Sequence, residues 1–70
     1  MNKFGKMLKK ARDNIELSLG SVSKKTGVSA AYIMHLEKGI RKNPSVTVFL
    51  TLCRFYGFNP ASTIFLFEVA

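Results

Sequence analysis

Cys53 has no second cysteine to pair with, and His35 has no second histidine. An intrachain disulfide is therefore excluded, and a structural zinc site is not expected, because too few nitrogen and sulfur ligands are present. A lone thiol without a disulfide framework fits a reducing cytoplasm. Long apolar runs are missing too: none reaches the roughly 18 to 20 residues that span a bilayer. Lys3 and Lys6 are not followed by the apolar stretch of a signal peptide, so the sequence reads as a soluble mature protein. No internal repeat, low-complexity stretch or linker interrupts it. With 70 residues there is room for one small domain, spanning 1–70. Its marginal core must come from packed helices, alone or with a partner chain.

Acidic residues are also scarce. Eleven Lys and Arg face four Asp and Glu, a formal net charge of +7. The excess is uneven. Lys3, Lys6, Lys9, Lys10, Arg12, Lys24, Lys25, Lys38, Arg41 and Lys42 all precede residue 43, and beyond them only Arg54 and Glu68 remain and cancel. One half is basic and the other nearly neutral and apolar. That distribution points to a polyanion partner, against the alternative of a solvated lysine face that only aids solubility.

The apolar spacing is helical. Phe4, Met7, Leu8, Ala11 and Ile15 recur at intervals of three and four, which predicts a first helix over about residues 2–14. Ser18 can cap a second helix, Leu19 to Thr26, with Leu19, Val22 and Thr26 on one face and Gly27 as its stop. Ser29 can cap a third, about residues 30–38, with Ile33 and Leu36 inward and Tyr32 at the edge. Pro44 or Ser45 opens a fourth, which runs to about Tyr56. Its core stripe is Val46, Phe49, Leu50, Cys53 and Tyr56, and Val48, Leu52 and Phe55 form a surplus second stripe. Asn59 and Pro60 read as the cap and first turn of a short fifth helix, about 60–68, carrying Ile64, Phe65, Leu66 and Phe67. The expectation is an all-α, compact five-helix bundle.

Two helices joined by a turn at Gly27 form a helix-turn-helix pattern over about residues 18–38. Gly27 tolerates the turn's backbone angles, Val28 plugs the corner, Ser29 caps the next helix, and Ser23 must be small where the helices approach. The stretch "LSLGSVSKKTGVSAAYIMHLEKGIRKNPSVTVFLTLCRFYGFNP" resembles the Xre/Cro-like, phage-repressor-type helix-turn-helix proteins. Leu17, Ser18, Ser23, Gly27, Val28, Ser29, Tyr32, Ile33, Leu36, Glu37, Gly39 and Pro44 match the family's pattern in one register. The resemblance implies a lambda-repressor-like fold and a small phage or bacterial regulator that binds double-stranded DNA, with no cofactor or small-molecule ligand expected. Catalysis is not expected because His35 has no carboxylate–nucleophile pair nearby in sequence and Cys53 falls on the helix-four stripe, and the short apolar runs leave no membrane span. One departure is clear. Leu19 stands where the family usually carries a phosphate-gripping glutamine, and it cannot donate a hydrogen bond.

The resemblance also assigns roles. Helix three would present Ser29, Ala30, Ala31, Met34 and His35 to base edges in the major groove. The two alanines offer only methyl groups, which can pack on thymine methyls, so direct readout should be weak and DNA shape should matter more. Ser29 could serve as a cap alone, Met34 as boundary packing and His35 as a half-buried surface residue. Phosphate contacts are expected from Ser18, Ser21, Lys24, Lys38, Arg41, Lys42 and Asn43, with Lys9 and Lys10 as further contributors. Family members often pair an arginine of the first helix with the glutamate ending the third, which implies an Arg12–Glu37 ion pair. The apolar excess at Phe55, Ile64, Phe65 and Phe67 suggests a homodimer interface, or else completes the core. The rival readings are a protein-interaction module on the same fold and a weakly specific architectural DNA binder.

Overall fold

The computed structural model describes residues 3–66, and these are helical without any strand. The elements are α1 (Lys3–Asn14), α2 (Leu19–Thr26), α3 (Ala30–Glu37), α4 (Val46–Tyr56) and α5 (Pro60–Thr63), followed by one 3₁₀ turn, Ile64–Leu66. Four of the helices start the same way. Ser18, Ser29, Ser45 and Asn59 sit in extended backbone just before α2, α3, α4 and α5, and each side-chain oxygen accepts a backbone N–H from the first turn. Capping satisfies donors that a helix cannot satisfy internally and is worth about 1 kcal/mol each.

The core is built from every one of the first four helices. Phe4 and Leu8 of α1, Val22 of α2, Ile33 and Leu36 of α3, and Phe49, Leu52 and Cys53 of α4 are buried, with Val28 closing the corner between α2 and α3. The Phe4 and Phe49 rings meet at 5.5 Å and tie α1 to α4. Leu17, Leu19, Tyr32, Val48, Leu50, Phe55, Tyr56 and Phe58 pack around this centre.

Four details differ from the sequence expectation. Ile15 is 48% exposed, because α1 stops at Asn14 and the chain turns through Glu16 at φ 55°. Val46 is 74% exposed, whereas Leu52 is fully buried. The core stripe of α4 is therefore Phe49, Leu52 and Cys53, and the supposed surplus stripe is absorbed because α2 and α5 both pack against α4. Helix α3 ends at Glu37, with Lys38 as its C-cap. The fifth helix stops at Thr63 and tightens into the 3₁₀ turn, so Ile64 and Phe65 are not α-helical. Phe67 lies outside the described residues.

Candidate nucleic-acid interface

The bend between α2 and α3 is made by four consecutive residues, Thr26 to Ser29. Thr26 Oγ1 donates to the Val22 carbonyl at 2.8 Å and accepts the Val28 N–H at 3.2 Å. Gly27 adopts φ 79°, where a Cβ would be strained, and its N–H closes on Ser23 O at 2.8 Å. Val28 then inserts into the core, and the Ser29 hydroxyl accepts the Tyr32 N–H at 3.1 Å. The geometry delivers α3 to the surface with one face in and one face out.

The inward face is anchored to α1 by two contacts. Gly5 is buried, and a Cβ there would collide with the Leu36 carbonyl oxygen and press on that of Glu37. Only glycine lets α1 pass this close to the end of α3. A glycine within a helix normally costs about 0.5–1 kcal/mol relative to alanine, so its presence between Phe4 and Leu8 was a readable sign of close approach. At the other end of α1, Arg12 Nε donates to Glu37 Oε2 at 2.8 Å and Nη2 donates to Oε1 at 2.9 Å. Arg12 Nη1 also donates to the Leu17 carbonyl at 3.0 Å, so one guanidinium holds α3 and the α1–α2 turn together. The two side chains are only 12% and 5% exposed. Hydrogen bonding to Glu37 raises the Arg12 pKa above its ordinary value, against the opposing effect of burial. The Tyr56 phenol lies within electrostatic reach of this pair. Burial, with the nearby Glu37 charge, pushes its pKa up, and its hydroxyl is buried with no hydrogen-bond partner among the described residues.

The outward face carries Ala30, Ala31, Met34 and His35 after Ser29. Ser29 and Ala31 are exposed, whereas Ala30, Met34 and His35 are half-buried. The loop after α3 follows directly, with Lys38, Arg41, Lys42 and Asn43 all exposed. At the start of α2, the Ser18 hydroxyl accepts the Ser21 N–H and donates to Ser21 Oγ at 3.1 Å, which engages both serines with each other. Lys24 and Lys10 are exposed, but Lys9 is paired with Asp13 at 2.8 Å. Leu19 is half-buried against the core, a packing role that replaces the missing polar side chain.

Sequence reasoning missed how the loop is held. Tyr32 reaches across it: its phenol oxygen accepts the Ser45 N–H at 3.1 Å, and the Arg41 guanidinium carbon lies 4.6 Å from its ring centroid. Thirteen residues separate Tyr32 from Ser45, and no short-range pattern announces such a contact.

The apolar residues assigned to an interface are not gathered in one place. Ile64, with Asn43, Pro44, Val46 and Phe49, lines a groove of about 220 Å³ beside the loop. Phe65 is 85% exposed. Phe55 lies instead in a separate cleft with Lys25, Thr26, Thr51 and Arg54, its ring 5.0 Å from that of Tyr56. Among the described residues, no group of three or more His, Cys, Asp or Glu could hold a metal ion, and no helix is long and apolar enough to cross a membrane.

No curated protein and no solved structure matches the chain. The helix-turn-helix domain family does match, over residues 3–63, which takes in α1 through α5. With the match covering the ion-paired scaffold, the turn and the exposed α3 alike, the chain belongs to the helix-turn-helix domain family of the Xre/Cro-like type.

Proposed function

We propose that the protein is a sequence-specific, double-stranded-DNA-binding transcriptional regulator, a repressor that occupies a palindromic operator as a homodimer and blocks RNA polymerase there. The observation that carries this reading is the juxtaposition of an exposed α3 surface with the cationic loop Lys38, Arg41 and Lys42, in a chain of this family. Ser29, Ala30, Ala31, Met34 and His35 would face the bases. Ser18, Ser21, Lys24, Lys38, Arg41, Lys42 and Asn43 would face the phosphates. Alanine methyls discriminate modestly, so phosphates carry most of the affinity and sequence preference draws on DNA shape. The dimer interface would use Ile64, which lines the groove, and the exposed Phe65, and it leaves out Phe55, which lies in a separate cleft. A two-fold arrangement sets the reading helices about 34 Å apart, one DNA turn.

The test is selection of duplexes from a random pool at physiological salt. Enrichment of a two-fold-symmetric motif with half-sites about 10 base pairs apart is the expected result. Binding without an enriched motif would favour architectural binding. A second reading, a protein-interaction module, draws on the apolar groove and on Phe65. It takes over if no duplex is retained at all.

A further inference from the structure

Between α3 and α4 the chain has little core to hold it. Ile40, its one large apolar side chain, is 66% exposed. The first half of the loop is tied by backbone bonds: Gly39 N–H to Leu36 O at 3.2 Å and Arg41 N–H to His35 O at 3.0 Å. The far end is tied by a side chain, the Ser45 N–H donating to Tyr32 Oη. Ser45 in turn caps α4 through Val48. Tyr32 therefore fixes both the exit of the loop and, through its ring, the side chain of Arg41. Arg41 is exposed and its guanidinium makes no hydrogen bond among the described residues. A guanidinium held over an aromatic face keeps its in-plane N–H donors available, and it loses less freedom when it grips a planar pair of acceptor oxygens.

We infer that Tyr32 is a positioning residue for phosphate recognition: it holds Arg41 at a fixed offset from α3, ready to grip one phosphodiester of the DNA backbone. This rests on the proposed DNA-binding function and gives it a specific device. Tyr32 stands on the reading helix, so the clamp sets the distance between the base-facing surface and that phosphate. The spacing of the backbone, not only the bases, is then measured by the same rigid unit.

A double-mutant cycle on Tyr32 and Arg41 tests this, with a selected duplex as the probe and affinity measured against salt. Arg41→Ala should flatten the slope of log affinity on log salt by about 0.9 per protomer, one phosphate contact. Tyr32→Leu, which keeps apolar bulk, should weaken binding about two- to fivefold although Arg41 is still present. The double variant should bind no more than about twofold worse than Arg41→Ala alone, because the tyrosine acts through the arginine. Tyr32→Phe, which keeps the ring and loses the Ser45 bond, should speed hydrogen exchange at the Ser45 amide and weaken binding less than Tyr32→Leu does. Independently of DNA, the Arg41 side-chain protons should show upfield ring-current shifts that Tyr32→Leu removes. Additive losses in the cycle, or unshifted Arg41 protons, would overturn the inference while leaving DNA binding intact. If the unmodified chain retains no duplex, the proposed function and this inference fall together.

Discussion

The two faces of α3 are made to different standards. Inward, every contact is specific: Ile33 and Leu36 are fully buried or nearly so, Gly5 admits the α1 backbone, and Glu37 meets Arg12 through two parallel hydrogen bonds. Outward, the helix shows two methyl groups, a thioether and an imidazole. The scaffold specifies where the helix lies far more tightly than its outward face, under the proposed function, could specify a DNA sequence. In a chain this small, position has to come from a few close contacts, and their loss cannot be diluted over a large core.

The strongest way to break the contrast is to cut the inward face. Glu37→Gln leaves the Arg12 guanidinium buried without its counter-charge and should cost about 3–5 kcal/mol in urea denaturation. Unchanged stability would mean that the pair is solvated in solution. Gly5→Ala should cost about 1–3 kcal/mol, because backbone has to give way to the new methyl. Gly20→Ala is the matched control: a Cβ there meets only Ser18 Oγ at 3.8 Å, so the ordinary helix preference applies and stability should rise by about 0.5–1 kcal/mol. If both glycines behaved alike, close approach of α1 to α3 would be refuted.

Tyr56 offers a subtler probe, with an effect on both stability and pH dependence. Tyr56→Phe removes a buried hydroxyl that has no partner among the described residues, and should stabilise the fold by about 1 kcal/mol. The folded state holds the phenolic proton to higher pH than the unfolded state does, since burial raises the pKa above its ordinary 10.0. Its contribution is complete below that ordinary value and disappears as pH climbs through the raised one. The variant should therefore lose less stability in alkaline solution, with the part due to Cys53, also raised by burial, left in place. An unaltered alkaline profile would place the phenol in water. The smallest effect belongs to the outward face. Ala31→Gln should change stability by less than about 0.5 kcal/mol while altering which duplexes are selected. A large loss of stability there would mean that the face is not open.

Most of this architecture was legible in the residues. Ser18, Ser29, Ser45 and Asn59 announce the starts of helices, Gly27 announces the end of one, and the spacing of Phe4 and Leu8 marks one core stripe. Periodicity failed where it had to decide between two apolar faces of one helix. In α4 both faces are covered, so Leu52 outranks Val46 for a reason that lies in α2 and α5, not in α4. It failed again at Ile15, where the turn through Glu16 takes the side chain out of the helical stripe. The Tyr32 clamp was hidden for a related cause. A hydrogen bond from Ser45 and a stacked Arg41 depend on how a loop folds back, and loop paths leave no period in a sequence.

The salt dependence of affinity tests the central claim most directly. If α3 contributes little direct readout and the basic loop and α2 carry the binding, a dimer contacting about six to eight phosphates should show a slope of log affinity on log salt near −5 to −7. A duplex bound tightly with a nearly flat salt dependence would contradict the account, because affinity would then come from the base-facing surface that the two alanines leave almost bare.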